Sequence, residues 1–89
     1  MPANTYLNYY LAITYYYLGE YEACINSFIN YINENPDDWE SHYYISLAYG
    51  KTGHENYRKS LTAALDMIKI SKKTKAMKKA ERELIRLLK

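Results

Sequence analysis

Residues 12–28, A-I-T-Y-Y-Y-L-G-E-Y-E-A-C-I-N-S-F, decide the fold. Ala12 to Leu18 reads as the end of one helix, Gly19 as a tight turn, and Tyr21 to Phe28 as the start of a second helix packed back on the first. Glycine takes the left-handed backbone angle that stops a helix without a Cβ clash. A lone helical pair buries too little apolar surface to stand alone, so such pairs stack. The chain should therefore repeat.

Shifting the sequence by about 34 residues lays Thr5–Gly19 over Trp39–Gly53. Tyr9 meets Tyr43, Tyr10 meets Tyr44, Leu11 meets Ile45, Tyr15 meets Tyr49 and Gly19 meets Gly53. In the first unit, Leu11-Ala12, Tyr15, Leu18-Gly19, Tyr21, Cys24-Ile25, Phe28 and Asn35-Pro36 fall at matched positions. They resemble the L-G/A, Y, L-G, Y, A-I, F/Y and N/D-P pattern of the tetratricopeptide repeat (TPR) family, whose period is of this length. The second unit carries Ile45-Ser46, Tyr49, Gly53, Tyr57, Ser60-Leu61 and Ala64, with two residues inserted after Gly53 and no closing proline. Asn8 and His42 stand where the family has bulky apolar residues.

The resemblance implies an all-α chain wound as a right-handed α-α superhelix: two helical hairpins followed by an amphipathic capping helix. The 89 residues form one domain, with repeat 1 over about 5–38, repeat 2 over about 39–72 and the capping helix over about 73–89. Two hairpins fall short of the three repeats that usually make a stable solenoid, so the open end needs a cover. Spacings of three and four from Ala76 and Met77 through Ala80, Leu84, Leu87 and Leu88 predict the helix that supplies it.

Helix by helix, Asn4 or Thr5 is expected to cap the first, after Pro2, with Leu7, Leu11, Tyr15 and Leu18 as its buried stripe. Ile25, Phe28, Ile29 and Ile32 are expected to turn inward from the second, which Asn35-Pro36 ends. Asp37 should cap the third, with Glu40 as its box-like partner, Ile45, Ala48 and Tyr49 inward, and Gly50 and Gly53 closing it. The fourth, about 55–70, carries Tyr57, Leu61, Ala64, Leu65 and Ile68.

Composition narrows the function. One cysteine excludes an internal disulfide, and Cys24 reads as a packing residue. No run of charge-free apolar residues is long enough to span a membrane, and no signal peptide opens the chain, which reads as cytoplasmic. The two histidines and single cysteine cannot assemble a zinc set, and phosphate-loop, dinucleotide, nucleophile-elbow and metalloprotease motifs are missing. The chain is therefore expected to be non-enzymatic and to need no cofactor.

Twelve tyrosines against one tryptophan and one phenylalanine exceed what a small core demands. The family's inward-facing places fall here on Tyr6, Tyr9, Tyr10, Ile13, Tyr16 and Tyr17, then on Glu40, Tyr43, Tyr44, Leu47 and Lys51. The resemblance thus implies a tyrosine-lined concave groove that takes a peptide or helix of another protein, and tyrosine suits that task because it brings contact area with few rotatable bonds. The chaperone-tail subclass of the family uses Lys, Asn, Asn, Lys and Arg at places held here by Tyr9, Ile13, Tyr44, Ala76 and Ala80, so that ligand is not expected.

Charge is split. Residues 1–57 hold one base against seven acids, net −6, while residues 58–89 hold eleven bases against three acids, net +8. This polarity suggests two alternatives to the groove: a homo-oligomer formed through the groove or end to end, and an anionic partner on the Lys/Arg-rich end. Nucleic acid is not favoured, because the tyrosines lie apart from the lysines rather than interleaved with them.

Overall fold

Two left-handed glycines set the chain's course. At Gly19, with φ of 80°, the Gly19 amide donates to the Tyr16 carbonyl at 3.1 Å and the Glu20 amide to Tyr15 at 2.9 Å. At Gly53, with φ of 68°, the Gly53 amide donates to Gly50 at 3.4 Å and the His54 amide to Tyr49 at 2.9 Å. These are the paired bonds of the glycine-terminated helix end, which satisfy carbonyls that the helix leaves without partners. Donors and acceptors of the second turn lie 34 residues after those of the first. The periodicity is thus present in hydrogen bonds as well as in letters.

A computed structural model describes residues 3–89, with side chains from residue 6 onward. Among the described residues there are five helices and no strand: α1 (Ala3–Tyr17), α2 (Tyr21–Glu34), α3 (Trp39–Thr52), α4 (Tyr57–Lys69) and α5 (Lys75–Leu88). α1 packs on α2, α2 on α3, α3 on α4 and α4 on α5, with a smaller contact between α1 and α3. The all-helical class and the hairpin-like pairing follow directly.

Two cores hold these helices. The first joins Ala12 of α1 to Cys24, Ile25 and Phe28 of α2 and to Ile45 and Ala48 of α3. It is ringed by aromatics: Tyr9 meets Phe28 edge-on at 6.0 Å, and Phe28 stacks on Tyr44 at 5.8 Å. The second core is aliphatic, joining Leu61, Ala64, Leu65 and Ile68 of α4 to Met77, Ala80 and Leu84 of α5. Each fully buried leucine or isoleucine there contributes about 1.5–3 kcal/mol relative to exposure. α5 therefore covers the apolar side of α4, as a capping helix should.

Several expectations need correction. Leu7, Leu11 and Leu18 are exposed rather than buried, and Tyr15 is half-buried; the inward stripe of α1 centres on Ala12, flanked by Tyr9 and Tyr16. Small Ala12 lets α2 approach closely, and α1 carries no charged side chain to mark its outer face. Ile29 is likewise exposed, its expected place taken by Cys24 and Tyr31. Asn4 and Thr5 lie inside α1 rather than before it, and Pro2 falls outside the described residues.

At the start of α3 the cap position is Asp38, one residue beyond the expected Asp37, because a turn closes from the Asp38 amide to the Asn35 carbonyl. The Asp38 carboxylate accepts from Ser41 Oγ at 2.6 Å instead of from a backbone amide. Gly50 does not end α3. It lies within the helix, where a Cβ would meet Tyr57 Cε1 at 2.7 Å, so its bare backbone makes room for that ring. α4 begins at Tyr57 and ends at Lys69, slightly shorter than expected.

Candidate functional site: the groove between α3 and α5

α3 and α5 both pack on α4 rather than directly on one another, and a hollow lies between them. A cavity of about 510 Å³ is lined by Trp39, Glu40, Tyr43 and Tyr44 from α3 and by Ala76, Lys79, Ala80, Arg82, Glu83 and Arg86 from α5. A second, of about 420 Å³, adjoins it through Tyr43, Glu83 and Arg86 and continues past Tyr16, Leu47, Gly50, Lys51, Tyr57 and Leu87. Together they form one groove with an aromatic wall, a small-residue wall and a charged rim. Its width depends on Ala76 and Ala80, one helical turn apart, which keep α5 from filling the space opposite the rings.

The aromatic wall is braced from behind. Trp39 and Tyr43 lie 6.2 Å apart, and both pack on the α4–α5 core. Tyr44 is held between Phe28 and Tyr16, whose ring meets it edge-on at 5.4 Å. Aromatic pairs at such separations prefer edge-to-face or offset geometry, which fixes ring orientation before any ligand arrives.

The phenols stay protonated. Burial, then a hydrogen bond with Tyr17, pushes the Tyr44 hydroxyl well above its ordinary value. Burial, then the Glu83 carboxylate, raises Tyr43, and burial leads the rise at Tyr16. Such hydroxyls can donate and accept hydrogen bonds but supply no base at neutral pH. Burial also pushes the Cys24 thiol up to about 11, away from the thiolate that nucleophilic chemistry needs.

On the rim, Arg86 Nε donates to Glu83 Oε2 at 3.1 Å and Arg86 Nη2 donates to Oε1, a two-pronged contact. The Arg86 hydrogen bond holds the Glu83 carboxyl below its usual range. That pair neutralises itself. The rim of the larger cavity keeps Lys79 and Arg82 opposite Glu40, so its remaining charge is cationic on the α5 side.

Of the residues expected to bind a partner, Tyr16, Tyr43, Tyr44, Leu47 and Lys51 line this groove, as does Glu40. Tyr6, Tyr9, Tyr10 and Ile13 line neither cavity. Tyr9 packs against Phe28 and Tyr31, Ile13 against the first core, and Tyr6 and Tyr10 are exposed on α1. Of the α5 wall, the family resemblance places only Ala76 and Ala80 inward, and not the cations. Its signal was present in two registers: the small pair Ala76 and Ala80, and the cations Lys79, Arg82 and Arg86 at steps of three and four, which place all three on one side of a helix.

No cluster of three metal-capable side chains occurs among the described residues, and no described helix is long and apolar enough to cross a membrane. Comparison with protein-family models, with curated proteins and with solved structures finds no match in any of the three.

Proposed function

We propose that this chain is a non-enzymatic protein-interaction module of the tetratricopeptide kind, which holds an extended segment of a partner protein in the groove between α3 and α5. In this reading the two hairpins wind as a right-handed superhelix and α5 caps it. The 34-residue recurrence of the glycine-turn hydrogen bonds supports that arrangement. The observation that carries the function is the groove itself: two adjoining cavities, of about 510 Å³ walled by Trp39, Tyr43 and Tyr44 and of about 420 Å³ walled by Tyr16, Tyr43 and Tyr57. Aromatic walls with a polar rim are the common composition of peptide-binding and interface surfaces.

The rim indicates what the bound segment contributes. An apolar side chain fits the hollow beside Trp39 and Tyr43, and acceptor groups or carboxylates face Lys79 and Arg82. The test is selection from a displayed peptide library on the intact chain, followed by titration of the selected peptides. Arg82→Glu changes an exposed residue and should leave helicity intact while weakening binding by about tenfold or more, equivalent to about 1.4 kcal/mol. Tyr43→Ala should weaken it further. Selected peptides that bind both variants as tightly as the parent chain would defeat the groove assignment.

A further inference from the structure

The outer side of α1 carries a second apolar surface, apart from the groove. Leu18 continues it just past the helix end, where its amide still donates to the Thr14 carbonyl at 3.0 Å. Leu7, Leu11 and Leu18 are 56%, 38% and 68% exposed, and Thr14 between them is exposed too. At about 100° per residue these four lie within about 60° of the helix circumference. Their steps of four, three and four are those of a helix–helix seam. Thr14 fits an apolar seam because its Oγ1 donates to the Tyr10 carbonyl at 2.9 Å, so the hydroxyl needs no outside partner.

We infer that this seam takes the same seam of a second copy, the two α1 helices lying antiparallel about a two-fold axis between Leu11 and Thr14. Three observations choose that occupant. First, the 4-3-4 spacing reads the same in both directions, so the axis sets Leu7 against Leu18 of the second copy and Leu11 against its Thr14. A two-fold interface requires such self-complementarity. Second, α1 has no charged residue from Ala3 to Tyr17, so the paired helices bring no like charges together along the seam. Third, the opposite end of the molecule does not suit it. The exposed face of α5 carries Lys75, Lys78 and Lys89 around Ile85, while Glu81 and Glu83 are already engaged by Lys73 and Arg86. Seating leucines there would strip water from cations without giving them partners.

The seam is three helical turns long, which places it among small interfaces, below about 1,200 Å² of total buried area. Dimerisation is therefore weak, with a dissociation constant between about 1 μM and 1 mM. Each copy brings an acidic half of net −6 towards the other, so added salt strengthens the dimer by screening. Head-to-tail association of acidic and basic ends would weaken with salt instead and would not stop at two.

Sedimentation velocity of the intact chain across that concentration range, at low and high salt, reads all of this. A species that stops at two copies and gains with salt is expected. Leu11→Glu should leave a monomer of unchanged helicity. Leu7→Lys alone and Leu18→Glu alone should each weaken the dimer at least about tenfold, and the double variant should regain it, because the antiparallel pairing sets opposite charges together. A monomer throughout, indifference to Leu11→Glu, or growth beyond two copies at low salt would overturn the proposal. Failure of the double variant to recover would overturn the antiparallel register. The seam lies off the α3–α5 groove, so Arg82→Glu leaves the dimer unchanged whether or not a peptide binds there.

Discussion

α1 and α5 are the outermost helices of the stack, and they treat their apolar residues in opposite ways. α5 turns Met77, Ala80 and Leu84 onto α4 and shows water a face of lysines and arginines. α1 turns the small Ala12 inward and leaves Leu7 and Leu11, with Leu18 just past its end, in the open. The difference comes from charge. On α5 the cations cannot be buried unpaired, so they dictate which side faces the core. On α1 no charge imposes a side, and packing decides. One helix is finished as a surface, and the other is left as a surface awaiting cover.

Truncating a leucine on each helix gives the largest expected contrast. Leu84 is fully buried in the aliphatic core, so Leu84→Ala should lower unfolding stability by about 2–5 kcal/mol, through lost burial and the cavity left behind. Leu7→Ala should stay within about 0.5 kcal/mol, as exposed substitutions do. Urea denaturation followed by circular dichroism, at concentrations where the chain is monomeric, checks both. Equal losses at the two positions would erase the distinction between the helices.

The same contrast explains how much could be read from the letters. The two glycine turns, the five helices and the inward residues of α4 and α5 were legible, because glycine conformation and charge placement are local facts. Gly19 and Gly53 need nothing beyond their own backbone angles. The inward side of α1 was not legible: Leu7, Leu11, Tyr15 and Leu18 form as regular a stripe as Ala12 with Tyr9 and Tyr16. Choosing between them needs the neighbouring helices: Ala12 clusters with Cys24 and Phe28 of α2 and with Ile45 and Ala48 of α3.

The α3 side of the groove was expected from the family resemblance alone, whose inward-facing places fall on Tyr43, Tyr44, Leu47 and Lys51. On the α5 side the same resemblance reached Ala76 and Ala80 but not Lys79, Arg82 or Arg86, because α5 has no counterpart within the 34-residue period to fix its register. Tyr9 shows the converse: a place that the resemblance assigns to a concave face packs instead against Phe28 and Tyr31.

A second contrast lies in what the two cores can titrate. The core under α1 contains Cys24 and is ringed by tyrosines, whereas the buried residues of the core under α5 are aliphatic. The Cys24 thiol is raised from 9.0 to about 11 in the fold, so the folded chain holds that proton more tightly than the unfolded chain does. Its stabilisation is complete below pH 9 and is lost as pH rises through about 11. Across that window stability should fall by about 1.4 kcal/mol per pH unit from this group. Tyr16 and Tyr44, which pack on the same core and are raised in the same direction, add to the fall above pH 10. Amide exchange should show α1 and α2 opening before α4 and α5 in alkali. Cys24→Ala should flatten the slope between pH 9 and 11; an unchanged slope would remove Cys24 as its source.

The smallest effect concerns how α5 is started. α2, α3 and α4 begin without a side-chain cap, whereas Thr74 Oγ1 accepts from the Met77 amide at 3.2 Å at the head of α5. A helix that closes the stack by one amphipathic face gains from a defined first turn, because Met77, in that turn, is itself a core residue. Thr74→Ala should cost about 1 kcal/mol, and Thr74→Ser less than that. For a chain of this size 1 kcal/mol corresponds to a drop of about 4–8 °C in melting temperature. The loss should appear first as faster exchange at Met77 and Lys78, with α1 unaffected. Equal loosening of both terminal helices would mean that they melt as one unit, and the separation argued between them would then hold for packing but not for stability.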